Sequence, residues 1–238
     1  MNKIAILAVT ALAVGTTFAA PKTTTRRAGA SVGAAGAAAE AEVPAGKAVT
    51  IEQFPKTGKA ATLGAPNLGG ATIIGQCFTK PRKWIVLETK YQTMQKWTDQ
   101  LTFTWHVLLE TKSATEKDKN DKEKLAPYSY FSTSVTYANI PKGSHAASVC
   151  LHPSYLERYG EPKAVGLVIT NPDGEMLAGD SDSEIGSQFK HSKWWEDAKI
   201  MDAKQAGEPM IERRQGLQDR SKTIWSLVNP NDYEMVVQ

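Results

Sequence analysis

Long apolar runs are missing from this 238-residue chain once Val14 is passed. No later stretch approaches the roughly 18 residues that mark a membrane-crossing helix, so no transmembrane segment is expected in the mature chain. Charge of one sign is also missing. A net charge of +3 with 22% charged residues is an ordinary balance, and it favours no acidic or nucleic-acid partner. The only Arg-Arg doublets are Arg26-Arg27 and Arg213-Arg214. With no RNP motif, zinc finger or helix-turn-helix beside them, nucleic acid is excluded as a partner. Catalytic motifs are absent as well: no GxSxG elbow, no P-loop, no GxGxxG after a strand. The four histidines, His106, His145, His152 and His191, form no HxH, HExxH or HxxxH pair. No metal and no cofactor are therefore expected.

What is present begins at the N-terminus. Lys3 supplies a positive start, Ile4 to Val14 is a short apolar stretch, and Thr17 and Ala19 stand at the positions a signal peptidase reads. This is the pattern of a secretory signal peptide over 1–19, too short to span a bilayer permanently. Residues 20–48 are rich in Ala and Gly and contain no aromatic residue. Such a segment cannot bury enough surface to offset its ordering entropy, and it reads as a tether. A single domain is expected over 49–238. The mature chain is then exported: periplasmic, associated with the outer surface, or secreted. In an oxidising compartment the two cysteines, Cys77 and Cys150, are natural disulfide partners, and closing that loop would stabilise the fold by about 4 kcal/mol.

The domain reads as mostly β. Strands are expected over 71–78, 84–93, 101–109, 128–137, 146–151, 164–170, 175–178, 223–228 and 233–237. The clearest is Leu101, Phe103, Trp105, Val107 and Leu109, apolar at every second position with a mostly polar opposite face, the mark of a half-buried antiparallel strand. Glu116 to Lys124 is a charged, solvated connection. A short helix is expected over 152–160, with Pro153 in its first turn and Gly160 as its stop. Asn171-Pro-Asp-Gly174 is a turn, and 192–204 reads as a second helix capped by Ser192 with Trp194, Ala198 and Met201 as its apolar stripe. The pattern suits a two-sheet antiparallel, immunoglobulin-like sandwich with one or two short inserted helices; the alternative is an α+β domain with a single sheet.

Two groups of side chains are candidates for a ligand or interaction surface. Trp97, beside a turn, and Trp195, about 100° around its helix from Trp194, are the tryptophans placed to be exposed, and an exposed aromatic face can stack on a sugar ring or a partner. Asp180, Asp182 and Glu184 alternate oxygen donors in the manner of a calcium loop, but the spacing of an EF-hand is not met, and the bland reading is a polar loop after a strand.

The signal peptide, the Ala/Gly tether and the run from WIVLETKYQTMQKW at Trp84 through TDQLTFTWHVLLE resemble a group of exported proteins of Verrucomicrobia-type gut bacteria. These are encoded beside type IV pilus-like genes and have an immunoglobulin-like sandwich. The resemblance implies protein partners at the cell envelope, among them pilus-like components, with self-association through exposed strand edges as a further route. It carries over no catalytic residue. The chain lacks the long apolar helix with Glu at its fifth position that marks a pilin, so an accessory to pilus-like assembly, adhesion or host contact is expected, and not the fibre subunit. From a different class, a secreted carbohydrate-binding module or glycan-active enzyme is the alternative.

Overall fold

The computed structural model describes residues 48–57, 61–64, 82–111, 126–186, 189, 193–227 and 234–236. These belong to one compact unit, Ala41–Gln238. The expected signal peptide, nearly all of the tether, the strand over 71–78 and Cys77 lie outside the described residues.

Eleven strands follow in chain order: β1 Val49–Gln53, β2 Ala61–Gly64, β3 Lys83–Glu110, β4 Tyr128–Leu151, β5 Glu161–Thr170, β6 Met176–Ser183, β7 Lys204–Gln205, β8 Glu208–Pro209, β9 Ile211–Arg214, β10 Leu217–Asp219 and β11 Glu234–Val236. Nine form one sheet, and β7 and β8 pair as a small hairpin. The long strands β3 and β4 pair with each other along nearly their whole length, from Ile85 opposite Leu151 to Glu110 opposite Tyr128. Each unites two of the strands expected from the sequence.

A strand of 28 residues would leave a single flat layer with no place to hide its apolar face. β3 solves this by bending at 94–100. On the near side of the bend Ile85, Leu87 and Tyr91 are buried, and on the far side Leu101, Phe103, Trp105, Val107 and Leu109. Both sets lie on odd positions, so one continuous face of the strand is apolar. Folding at the bend brings that face against itself, and the Tyr91 and Phe103 rings meet at 4.8 Å between centroids. The fold is thus mainly β and sandwich-like, as expected, but its layers are two halves of one bent sheet. In the first layer β1, β2 and β10 flank the long pair. In the second, β5 pairs with β3, β6 with β5, and β9 and β11 with β4. Every pairing is antiparallel except β4 with β9.

Helix α1, Pro153–Tyr159, closes the end of the sandwich away from the bend. It has Pro in its first turn and Gly160 after it at φ 87°, a conformation glycine adopts without strain. Tyr155 and Tyr159 pack on Phe131 at 5.7 and 5.8 Å. The Asn171–Gly174 turn forms as expected, with the Asn171 side chain accepting from Glu175 N–H at 2.8 Å. Two expectations are corrected. The helix over 192–204 is instead a 3₁₀ turn, Trp194–Glu196, and a single α-turn, α2, Ala198–Met201. Asp197 breaks the two apart because its side chain caps the Lys199 N–H while its own backbone is extended. The strand over 223–228 is a 3₁₀ turn, Ile224–Leu227. Its alternation is too short to outweigh Thr223, whose hydroxyl accepts from Trp225 N–H and donates to Arg220 C=O.

Candidate functional site

The bend in the long strands is built by a register change. Thr93 pairs with Gly143, yet Trp97 pairs with Pro141, so three residues of β3 face one of β4, a bulge that turns the strand sharply. Pro141 has no N–H to contribute to the ladder, which relaxes the pairing there. Buried Thr93 holds the turn: its hydroxyl donates to Pro141 C=O at 2.7 Å and accepts from Gly143 N–H at 3.2 Å. His145 Nε2 reaches the same carbonyl at 2.7 Å, and its ring leans on Tyr91 at 5.5 Å. With the backbone fixed from beneath, Trp97 and Met94 are left on the surface, 58% and 38% exposed.

The bend also carries a groove of about 330 Å³, which neither Trp97 nor Met94 lines. Gln95, Thr98, Asp99 and Gln100 of the bend form one wall and Asn171 and Pro172 of the β5–β6 turn another. Val49, Leu101 and Leu177 supply apolar lining. The groove thus joins segments far apart in sequence at the end of the sandwich where β1 begins.

Trp195, the second tryptophan singled out from the sequence, does a different job. It lies flat on the outer face of the second layer. Its ring stacks on His106 at 4.2 Å with 7° between planes. Gly166 of β5, opposite His106 in the ladder, leaves room for it: a Cβ there would lie 2.0 Å from the Trp195 ring. His106 Nδ1 is 2.7 Å from the Tyr130 hydroxyl. Burial lowers the His106 pKa from 6.5 to about 4 because the charged ring would lose its water, so at neutral pH it is an uncharged part of a packed face. Around it Leu108, Ala164, Phe189, Trp194, Ile200, Met201 and Ile211 make a second, smaller core. A cavity of about 400 Å³ opens at its edge between Tyr128, Phe189, Asp197, Lys199 and Ile211.

The acidic candidates do not converge. Asp182 accepts from both the N–H and the hydroxyl of Thr57, at 2.9 and 3.0 Å, and pairs with Lys56 at 3.7 Å. It staples the segment after β1 to β6. Glu184 pairs with Lys163 at 3.2 Å, and Asp180 accepts from the adjacent Ser181 N–H. Asp180 and Asp182 lie within strand β6, not in a loop. Among the described residues no group of three or more His, Cys, Asp or Glu side chains could hold a metal ion. Cys150 is a free, fully buried thiol whose pKa burial pushes up to about 11, so the expected disulfide with Cys77 is not formed in this structure; Cys77 itself lies outside the described residues. Among the described residues no helix is long and apolar enough to cross a membrane.

Sequence reasoning singled out Trp97 but missed the polar wall beside it. No local signal marks Gln95 to Gln100, since the groove exists only once the β5–β6 turn is brought alongside. It also placed His106 on a polar face, unaware that Trp195 and Trp194 cover that face.

No curated protein matches the chain. A crystal structure from Akkermansia muciniphila is similar, with a TM-score of 0.53 and 20% identity over 80% of this chain and 93% of that chain; at that identity the likeness is one of fold. A family model described by likeness to a prototype protein matches residues 56–216. That span is more than half of the 238 residues, and the chain belongs to this family.

Proposed function

We propose that the mature chain is an exported, non-enzymatic interaction protein, accessory to pilus-like assembly or to adhesion and host contact. The observation that carries this reading is Trp97: a large aromatic side chain, 58% exposed, presented on a bend whose backbone is locked by Thr93 and His145. A rigid aromatic anchor at a surface is what contact sites use, because little side-chain entropy is lost on binding. The pilus-related context is what the resemblance carried by the run from Trp84 implies, and the signal-peptide pattern over 1–19 supports export. His106, His145, Asp182 and Glu184 are each engaged in packing, hydrogen bonds or ion pairs, which favours binding over catalysis at these side chains.

The test is affinity capture from envelope extract with residues 20–238 as bait, followed by mass spectrometry. Pilus-machinery components are expected, and the Met94→Ala/Trp97→Ala bait should recover markedly less of them. Recovery of the bait alone would overturn the assembly reading.

A further inference from the structure

We propose that the groove at the bend is a binding site for a neutral saccharide, with Trp97 as its stacking platform. This deepens the adhesion limb of the proposed function by naming the chemistry of what is contacted.

Four polar side chains meet at one place: Gln95, Thr98, Asp99 and Gln100 all line the groove. None of the four makes a side-chain hydrogen bond or ion pair among the described residues. On the same strand Thr102 meets Thr136 at 3.1 Å and Thr104 meets Ser134 at 3.0 Å. Unengaged amide, hydroxyl and carboxylate groups gathered in one groove are a set of donors and acceptors for a polyhydroxylated partner. The chemistry of the set matches sugar hydroxyls, which both donate and accept: the two glutamines offer N–H₂ and C=O, Thr98 offers either role, and Asp99 accepts.

The second requirement of a saccharide is an apolar surface for the face of the ring that carries C–H groups. Trp97 does not itself line the groove, but it stands between Gln95 and Thr98, which both do, and it is the most exposed large apolar residue described. Val49, Leu101 and Leu177 add apolar lining within the groove. At about 330 Å³ the volume lies at the small end of the roughly 300–1,000 Å³ range of ligand clefts, which suits one or two sugar units.

Charge sets the class further. Asp99 is the one charged side chain among the described lining residues. A lone carboxylate with no cation beside it in the groove repels uronic and sialic acids and leaves neutral sugars. The site is also rigid before binding, because the Thr93, His145 and Pro141 contacts fix the bend from beneath.

The experiment uses residues 20–238 on a printed array of neutral and acidic oligosaccharides, followed by calorimetric titration with the neutral oligosaccharide that gives the strongest signal. Binding to neutral members is expected. Trp97→Ala should weaken it about tenfold, Trp97→Phe should keep most of it, and Gln100→Ala should weaken it as well. As Trp97 is surface-exposed, these variants fold, and unchanged melting temperatures verify that. An array with no bound glycan overturns the inference. So does binding that is unchanged in Trp97→Ala, which would place the sugar elsewhere, or binding confined to acidic glycans. The capture experiment reads protein partners, so a failure there with neutral glycan binding intact removes the assembly reading and leaves this site standing.

Discussion

Two tryptophans look alike in sequence and have opposite fates, and the difference lies in what faces each. Trp97 stands at the bulge of its own strand pair, and its side chain is 58% exposed. Trp195 meets Gly166, where the missing side chain leaves a flat patch of backbone, and His106, whose neutral ring completes the stack. Gly166 is therefore the residue that docks the 193–201 segment. In Gly166→Ala the new Cβ would fall 2.0 Å from the Trp195 ring, an overlap only displacement of that ring relieves. The variant is expected to lose about 1–3 kcal/mol of stability, the usual cost of overpacking. Near-UV circular dichroism should diminish and the NMR-titrated pKa of His106 should climb from about 4 toward its unperturbed value. A variant with wild-type stability and an unmoved His106 would show that Trp195 is not held by this contact.

At the scale of elements, the bend is what turns two long strands into a sandwich. It is braced from within by Thr93, whose hydroxyl serves Pro141 C=O and Gly143 N–H together, and by His145 at the same carbonyl. Thr93→Val keeps the shape and removes both hydroxyl bonds, leaving the Gly143 amide without this acceptor and the Pro141 carbonyl to His145 alone. A loss of roughly 1–3 kcal/mol is expected in urea unfolding, while Thr93→Ser should recover most of it. If Val and Ser behave alike, the hydroxyl contributes nothing to the bend. The strands themselves were legible in the sequence, since Leu101 to Leu109 and Tyr128 to Tyr137 alternate cleanly. Their fusion into two continuous elements was not. Residues 94–100 are polar enough to read as a loop, and only the partner strand shows that they stay paired through a bulge. The second helix failed for a related reason: the Trp194, Ala198 and Met201 stripe has helical spacing, but Asp197 supplies a competing cap in its middle. Short strands such as β9 and β10 carry no pattern of their own and form because β4 offers an open edge.

Among the described residues His106 sits in a place that makes the stability of the whole molecule depend on pH on the acid side. His106 lies between the sheet and the covering segment, against the Tyr130 hydroxyl and under the Trp195 ring. The charge felt at Tyr130 is that of Arg213, a cation that does nothing to welcome a second one. In the folded chain the pKa is about 4, against 6.5 for a free histidine. As pH falls below 6.5 the unfolded chain takes up a proton that the folded chain refuses, so folding stability declines between pH 6.5 and 4 and the contribution levels off below 4. Above 6.5 both states are neutral and the group contributes no slope. The full swing is at most about 3 kcal/mol. Other groups titrate in the same window, so the measurement is a difference: urea unfolding of wild type and His106→Phe at intervals from pH 7 to 4. Phe keeps a ring under Trp195 and removes the proton site. The wild-type curve should fall more steeply than the variant's through the window, the gap closing by up to that 3 kcal/mol as acid cancels the advantage of the neutral histidine. Two curves that stay parallel would mean that His106 titrates in the folded chain as it does in the unfolded one, as a solvated ring would. In that case the outer core, with Trp194 and Trp195 at its centre, is not the sealed layer that burial of His106 requires.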